Sequence, residues 1–153
     1  MIYLQNIHKT YGKDHTLVYA LKNISLHVKE GECVVLKGAS GSGKSTILSL
    51  MAGLTKPTTG DVIVNKKAIS KLLDHFSAQF RRHNIGFVFQ KFHLLPNLSV
   101  RENIIIPLIP DNLLPEEIGA RADTVMKSLS LTPKASGYFD TEVQNTTRFL
   151  RIT

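Results

Sequence analysis

A chain of 153 residues, 42% hydrophobic and 20% charged, has the composition of one ordinary globular domain or part of one, which excludes wholesale disorder and fibrous repeats. Nineteen Lys and Arg against 12 Asp and Glu leave a charge of +7, which suits an anionic partner (nucleotide, nucleic acid or acidic membrane face) or a solvated lysine-rich surface. The single Cys33 excludes an internal disulfide and fits a reducing compartment.

In chain order, Ile2, Leu4 and Ile7 mark a first strand, and a turn follows around Gly12, Lys13 and Asp14. Ile24, Leu26 and Val28 alternate with Ser25 and His27, the period of a half-buried strand. After a turn at residues 29–32, the continuous run Cys33, Val34, Val35, Leu36 reads as a strand buried on both faces. A glycine-rich loop leads into a helix over residues 45–54, with Ile47, Leu48, Leu50 and Met51 on a broad apolar face. A turn at 57–60 precedes a short strand at 61–64. Residues 69–83 read as helix, with Leu72, Leu73, Phe76 and Phe80 at helical spacing, and 85–89 as a second buried strand.

Beyond that point Pro96, Pro107, Pro110 and Pro115 punctuate short helical pieces. The clearest amphipathic helix spans 115–131, with Ile118, Ala122, Val125, Met126 and Leu129 on one stripe, and Pro133 ends it. From Gly137 the periodicity fades. The most apolar run, 104–109, is far too short to span a bilayer and contains Pro107, and residues 1–13 hold no apolar leader core. The expectation is a cytosolic protein unless a partner holds it at a membrane.

The loop reads Gly38, Ala39, Ser40, Gly41, Ser42, Gly43, Lys44, Ser45, which matches G-x-x-x-x-G-K-[ST] at every defined position, with a predicted strand before it and a helix after it. Gly38, Gly41 and Gly43 admit backbone angles that a Cβ blocks, so successive N–H groups turn inward as an anion nest. The helix start adds partial positive charge. Lys44 places an ammonium beside the β- and γ-phosphates, the Ser45 hydroxyl suits Mg²⁺, and Thr46 reaches the α-phosphate side. This pattern points to a nucleoside-triphosphate site and leaves ATPase, GTPase and kinase open.

The loop with its flanks, from Leu36 to Leu54, resembles that of the ATP-binding subunits of ABC transporters. Three further stretches are similar to the same family: Lys9-Thr10-Tyr11-Gly12, Pro57-Thr58-Thr59-Gly60-Asp61-Val62, and Ile85-Gly86-Phe87-Val88-Phe89-Gln90 followed by residues 92–104. The wording of the last stretch is closest to the lipoprotein-releasing and macrolide-export branch. The resemblance implies an α/β fold, a P-loop NTPase of ABC ATPase type. It would have an N-terminal antiparallel β part, a parallel sheet left incomplete here, and a partial helical subdomain. It implies a nucleotide-binding core over residues 1–91, the helical part over 92–136 and an atypical tail over 137–153.

By the same resemblance the cofactors are ATP and Mg²⁺, Tyr11 stacks on adenine, and Gln90 reaches the metal or the attacking water and links the nucleotide to the membrane partner. The segment from Phe92 to Asn103 faces the coupling helix of a transmembrane permease; read from residue type alone, Phe92, Leu94 and Leu95 suit a small local core equally well. Two such subunits pair when complete, on the cytoplasmic face of the inner or plasma membrane, and no nucleic acid is bound. Asn65, Lys66 and Lys67 depart from the family, which often has Gly at this hairpin turn; Asn65 tolerates a left-handed conformation, so a hairpin is still expected.

The resemblance covers roughly residues 1–136. The family's signature loop (Leu-Ser-Gly-Gly-Gln), its apolar strand ending in Asp-Glu and its switch histidine do not occur in these 153 residues. Hydrolysis needs a carboxylate to orient and deprotonate water, with a second acid on Mg²⁺. The chain is therefore expected to bind nucleotide through Tyr11, residues 38–46 and Gln90, with Lys44 and Gln90 as its catalytic contribution and Ser45 and Gln90 as its metal ligands. Little or no turnover is expected from it alone. It reads as a truncated product whose tail comes from a shifted frame or a disrupted gene. A small P-loop kinase and a non-catalytic permease-binding module are the competing readings.

Overall fold

The computed structural model describes residues 1–89 and 93–138, which fall into one unit over Met1–Phe87 and a second beginning at Val88. The first unit is built on a four-stranded antiparallel sheet. β1 (Ile2–Tyr11) lies between β2 (Val18–Val28) and β3 (Thr59–Val64), and β4 (Lys67–Ala68) folds back onto β3. Strict alternation would put Leu4 and Ile7 on opposite faces of β1. The register instead shifts between them, with Asn6 at φ +48°, so both side chains enter the core. The amide that the bulge frees donates to Ser25 Oγ on β2 at 3.0 Å.

Helix α1 (Lys44–Met51) covers the sheet and places Leu50, fully buried, among Leu4, Ile7, Leu21, Val62, Val64 and Ile69. Burial of a leucine of this kind contributes roughly 2 kcal/mol. Ile47 and Met51 flank it, while Leu48 of the expected apolar face is exposed. The predicted strand at 61–64 is β3, begun two residues earlier. The hairpin expected from Asn65 is present: Val64 pairs with Lys67, and Asn65 and Lys66 between them sit at φ +47° and +65°. Two consecutive positive φ values are the turn whose twist matches flanking strands.

The helix expected over 69–83 is interrupted. A 3₁₀ turn at Ile69–Lys71 is followed by Leu73 in an extended conformation, and α2 (Asp74–Asn84) starts afresh. Leu72 and Phe80 pack on the core, whereas Leu73 and Phe76 are exposed, so the predicted apolar face is split between two elements.

The larger departure concerns residues 33–36 and 85–89. Neither stretch is a strand, and Val35 and Val88 are 70% and 68% exposed. Their apolar, β-prone character suits two-sided burial, but a strand exists only in a ladder with neighbours. Among the described residues the four strands pair with one another alone.

In the second unit, α3 (Val100–Ile105) passes into a 3₁₀ segment at Ile106–Asp111 that accommodates Pro107 and Pro110, and α4 (Pro115–Ser128) begins on a proline at its first turn. Ala122 and Met126 of the predicted α4 stripe are buried. The first three amides of α3 are all satisfied: Val100 donates to Gly137 O at 2.9 Å, Arg101 to Ala135 O at 3.2 Å and Glu102 to Ser99 Oγ at 3.2 Å. Arg101 also pairs with Asp123 of α4 at 3.1 Å. Both partners are solvated, so this link contributes at most about 1 kcal/mol. Among the described residues no helix is long and apolar enough to cross a membrane.

Two outcomes follow from this anatomy. Lys66 holds a left-handed conformation that disfavours any Cβ-bearing residue, so Lys66→Gly is expected to raise stability by about 0.5–1 kcal/mol, after the entropy of a more flexible unfolded chain is subtracted. A higher urea midpoint at unchanged m would register it. The Ser99 hydroxyl, and after it the Ser99 N–H, hold the Glu102 carboxyl below its ordinary 4.5. Its support of α3 is therefore present above pH 4.5 and lost as pH falls through the lower folded value. Amide exchange of residues 100–105 should accelerate relative to intrinsic rates as pH falls below 4.5, and Glu102→Gln should abolish that dependence.

Candidate functional site

The loop that the sequence singles out connects residue 37 to α1 and lies wholly in the first unit. Gly43, the residue before the helix, has φ +88° and offers no side chain to the first turn. The first helical amide to find a partner within the element is Ile47, which donates to Gly43 O at 2.9 Å. The Lys44, Ser45 and Thr46 amides precede it, and no acidic residue stands in that turn. This end of α1 carries the uncompensated positive end of the peptide dipoles.

Lys44 does not extend into solvent. Its ammonium donates to Gly38 O at 2.9 Å, Ala39 O at 2.6 Å and Ser42 Oγ at 3.2 Å, so its three N–H groups meet three acceptors of the loop. The side chain thereby spans the loop from its last residue to its first. Ser42 N–H closes a tighter turn onto Ala39 O at 3.3 Å. Ser40 and Gly41 lie exposed at the tip, Ser45 is exposed and Thr46 half-buried.

The loop is seated on β2. A Cβ on Gly43 would stand 2.7 Å from Leu21 Cδ2 and 2.8 Å from Ala20 O, which real Cβ atoms do not tolerate. Gly41 has open space around it at φ +78°, so its glycine answers to backbone angle alone. Tyr11, at the end of β1, pairs with Val18, two residues from Ala20 along β2. At about 3.4 Å per residue, the Tyr11 pairing lies roughly 7 Å along β2 from the seat of the loop. Tyr11 is 44% exposed, and the Lys9 ammonium lies 4.8 Å from its ring centroid. Lys9 opens the Lys9-Thr10-Tyr11-Gly12 stretch without a role of its own in the sequence; its i, i+2 spacing from Tyr11 on one strand is the signal that pairs them.

Gln90 and Phe92 lie outside the described residues, so their proposed roles have no geometry here. Of the remaining segment, Leu95 is 47% exposed and Leu94 half-buried. The Asn103 amide fixes this stretch: Leu95 N–H donates to Asn103 Oδ1 at 2.8 Å, and the two N–H groups of Asn103 Nδ2 are shared among the carbonyls of Leu95, Leu98 and Ser99, at 3.0 Å each.

The residues present fit a triphosphate with its metal. The 44–46 amides, the Lys44 ammonium and the Ser45 hydroxyl all belong to one helix start and its loop, whose tip is exposed. Among the described residues no three His, Cys, Asp or Glu side chains gather as a metal cage. Mg²⁺ needs none, because it is ordinarily held by one or two protein oxygens, phosphate oxygens and water.

The ABC transporter family matches residues 21–147. The ABC transporter ATP-binding protein MJ0796 of Methanocaldococcus jannaschii is 48% identical over 109 residues, which are 71% of this chain and 46% of that protein. A dimeric structure of the MJ0796 cassette in a post-hydrolysis state, bound to ADP and Pi, superposes with a TM-score of 0.81 at 41% identity, covering 90% of this chain and 61% of that one. A second dimeric MJ0796 structure gives 0.84 at 40% identity, covering 94% and 65%. The chain thus spans about half the length of the curated relative and under two thirds of the solved ones.

The seating of the loop has a direct test. Gly41→Ala should cost only the strain of its backbone angle, about 1 kcal/mol. Gly43→Ala carries the same strain plus the collision with Ala20 O and Leu21, and should lower the urea midpoint distinctly further.

Proposed function

The chain belongs to the ABC transporter family, as an ATP-binding cassette, and from that premise we propose that it binds Mg-ATP through the 38–46 loop and Tyr11 on behalf of a membrane permease. The observation that carries this reading is the Lys44 side chain drawn back across its own loop beside a helix start whose first amide bonded within the element is that of Ile47. An ammonium held only by neutral carbonyl and hydroxyl oxygens gains when a phosphate oxygen replaces one of them, because a full negative charge attracts it more strongly than a dipole does.

In this reading the 44–46 amides and the Gly41 and Gly43 backbone receive the β-phosphate. Lys44 bridges β- and γ-oxygens while keeping part of its hold on the loop. Ser45 supplies one oxygen to Mg²⁺, and Thr46 lies towards the α-phosphate. Mg²⁺ supplies neutralisation of the β- and γ-oxygens when bound. Tyr11 offers its ring to the adenine. Gln90 is assigned to the metal or attacking water, and the stretch from Phe92 to Asn103 to the permease, with Asn103 holding Leu95 at the surface. The branch nearest in wording extracts lipids or lipoproteins or exports macrolides, and a subunit of that kind works in pairs on the cytoplasmic membrane face.

Holding a nucleotide and cleaving it call on different residues. Lys44, Ser45 and Tyr11 are here; a Leu-Ser-Gly-Gly-Gln stretch and a strand ending in Asp-Glu are not among the 153 residues. We expect this chain alone to bind Mg-ATP without appreciable turnover. Lys44→Ala removes a charged hydrogen-bond donor to the phosphates and should weaken Mg-ATP roughly ten- to a hundredfold. Titration calorimetry, and the loss of the thermal shift that Mg-ATP gives the parent chain, would report it. Phosphate release by the purified chain that disappears in Lys44→Ala would overturn the second half of the proposal.

A further inference from the structure

The base end and the phosphate end of the proposed site are joined by a set of bonds that no motif contains. Lys9 stands at their centre. Its ammonium lies 4.8 Å from the Tyr11 ring centroid, within the range of a cation–π contact, and also donates to the carbonyl oxygen of Lys56 at 2.8 Å. On either side of it, Thr58 N–H donates to His8 O at 2.9 Å and Thr10 N–H to Thr58 Oγ1 at 3.0 Å. The end of β1 is therefore stapled to residues 56–58.

Those residues follow directly from α1. The Leu54 and Thr55 amides both donate to Ser49 O of that helix, at 2.8 and 3.3 Å. An unbroken run of hydrogen bonds thus links the Tyr11 strand, through residues 54–58, to the helix whose other end carries Lys44, Ser45 and Thr46.

We propose that Lys9 is a positioning residue for nucleobase recognition. It orients the Tyr11 ring by occupying one side of it and draws π density towards its charge, so that the other side stacks better on an electron-rich purine. The tie to Lys56 O keeps that platform in fixed register with the phosphate loop. Tyr11 alone, 44% exposed at a strand end, would be free to change rotamer. The inference rests on the nucleotide-binding reading above and goes beyond it by assigning a role to Lys9, the residue of the Lys9-Thr10-Tyr11-Gly12 stretch to which the family resemblance gives none.

The test compares two ligands that differ only in having a nucleoside. Mg-ATP and Mg-tripolyphosphate are titrated by calorimetry into the parent chain, Lys9→Met, Lys9→Arg, Tyr11→Ala and the Lys9→Met/Tyr11→Ala double variant. Lys9→Met keeps the apolar stem and loses the cation; it should weaken ATP about two- to fivefold and leave tripolyphosphate unchanged. Lys9→Arg should retain the parent ratio of the two affinities, and Lys9→Met should have no further effect once Tyr11 is Ala. Equal weakening of both ligands would show that Lys9 acts as a diffuse charge or a structural brace, and would overturn the proposal. So would an unchanged ATP affinity in Lys9→Met, or a full Lys9 effect in the Tyr11→Ala background. A parent chain that binds neither ligand would instead refute the nucleotide-binding reading, and this inference with it.

Discussion

The arrangement of the first unit depends on how closely the start of α1 approaches β2. Gly43 lies against Ala20 O and Leu21 Cδ2 at distances no Cβ allows, in a left-handed conformation that also favours glycine. That seat sets where the helix begins and how it is aimed. Seven residues on, Leu50 drops into the centre of the core, beside the same Leu21 that meets Gly43. The core and the loop thus share one side chain of β2. A shift of the helix start that relieved crowding at Gly43 would also withdraw Leu50 from its socket, so packing energy of the core is what holds the loop in place.

The loop itself is held by short-range bonds. Lys44 reaches back six residues to Gly38 and five to Ala39, and Ser42 closes on Ala39. Contacts of such short separation in sequence need only the helix start and its seat, not the stretches at 33–36 or 85–89. An ammonium surrounded by neutral oxygens is a poised group: it is satisfied without a ligand, which keeps the loop ordered, yet an anion offers it stronger partners. The same economy appears in the second unit, where the Asn103 amide answers four backbone groups of residues 95–99 and thereby sets the shape of an exposed stretch.

What could be read in the sequence divides along the range of the interactions. The start of α1, the Pro115 helix start and the Asn65 turn are local features whose residue types state their own conformations, and each is found where expected, although α1 ends at Met51 rather than Leu54. Leu4 and Ile7 were rightly placed in one strand, but the bulge at Asn6 that lets both face inward leaves no mark beyond their odd spacing. The break at Leu73 was hidden by an apolar periodicity that ran through it. The runs at 33–36 and 85–89 failed as strands for the opposite reason: propensity was right for a buried strand, yet a strand is defined by its neighbours, and these are non-local. Lys9 was overlooked because its partners, Tyr11 and Lys56 O, come together only through the fold.

This division bears on chemistry as well as on folding. In the proposed reading phosphate binding draws on groups within one loop and one helix turn, all of which belong to the first unit. Base stacking, in the same reading, draws also on the stapling of β1 to residues 56–58, and those hydrogen bonds lie within the same unit. Cleavage is of a different order, because water, its base and the closing contact on the γ-phosphate must arrive from elements far apart in sequence or from another chain. The residues proposed for recognition therefore all belong to the first unit, with Gln90 apart. Of the parts that the proposed reading assigns to cleavage, Lys44 and Ser45 would serve both tasks. Their double use makes nucleotide affinity, rather than turnover, the property in which the contribution of this unit is to be read.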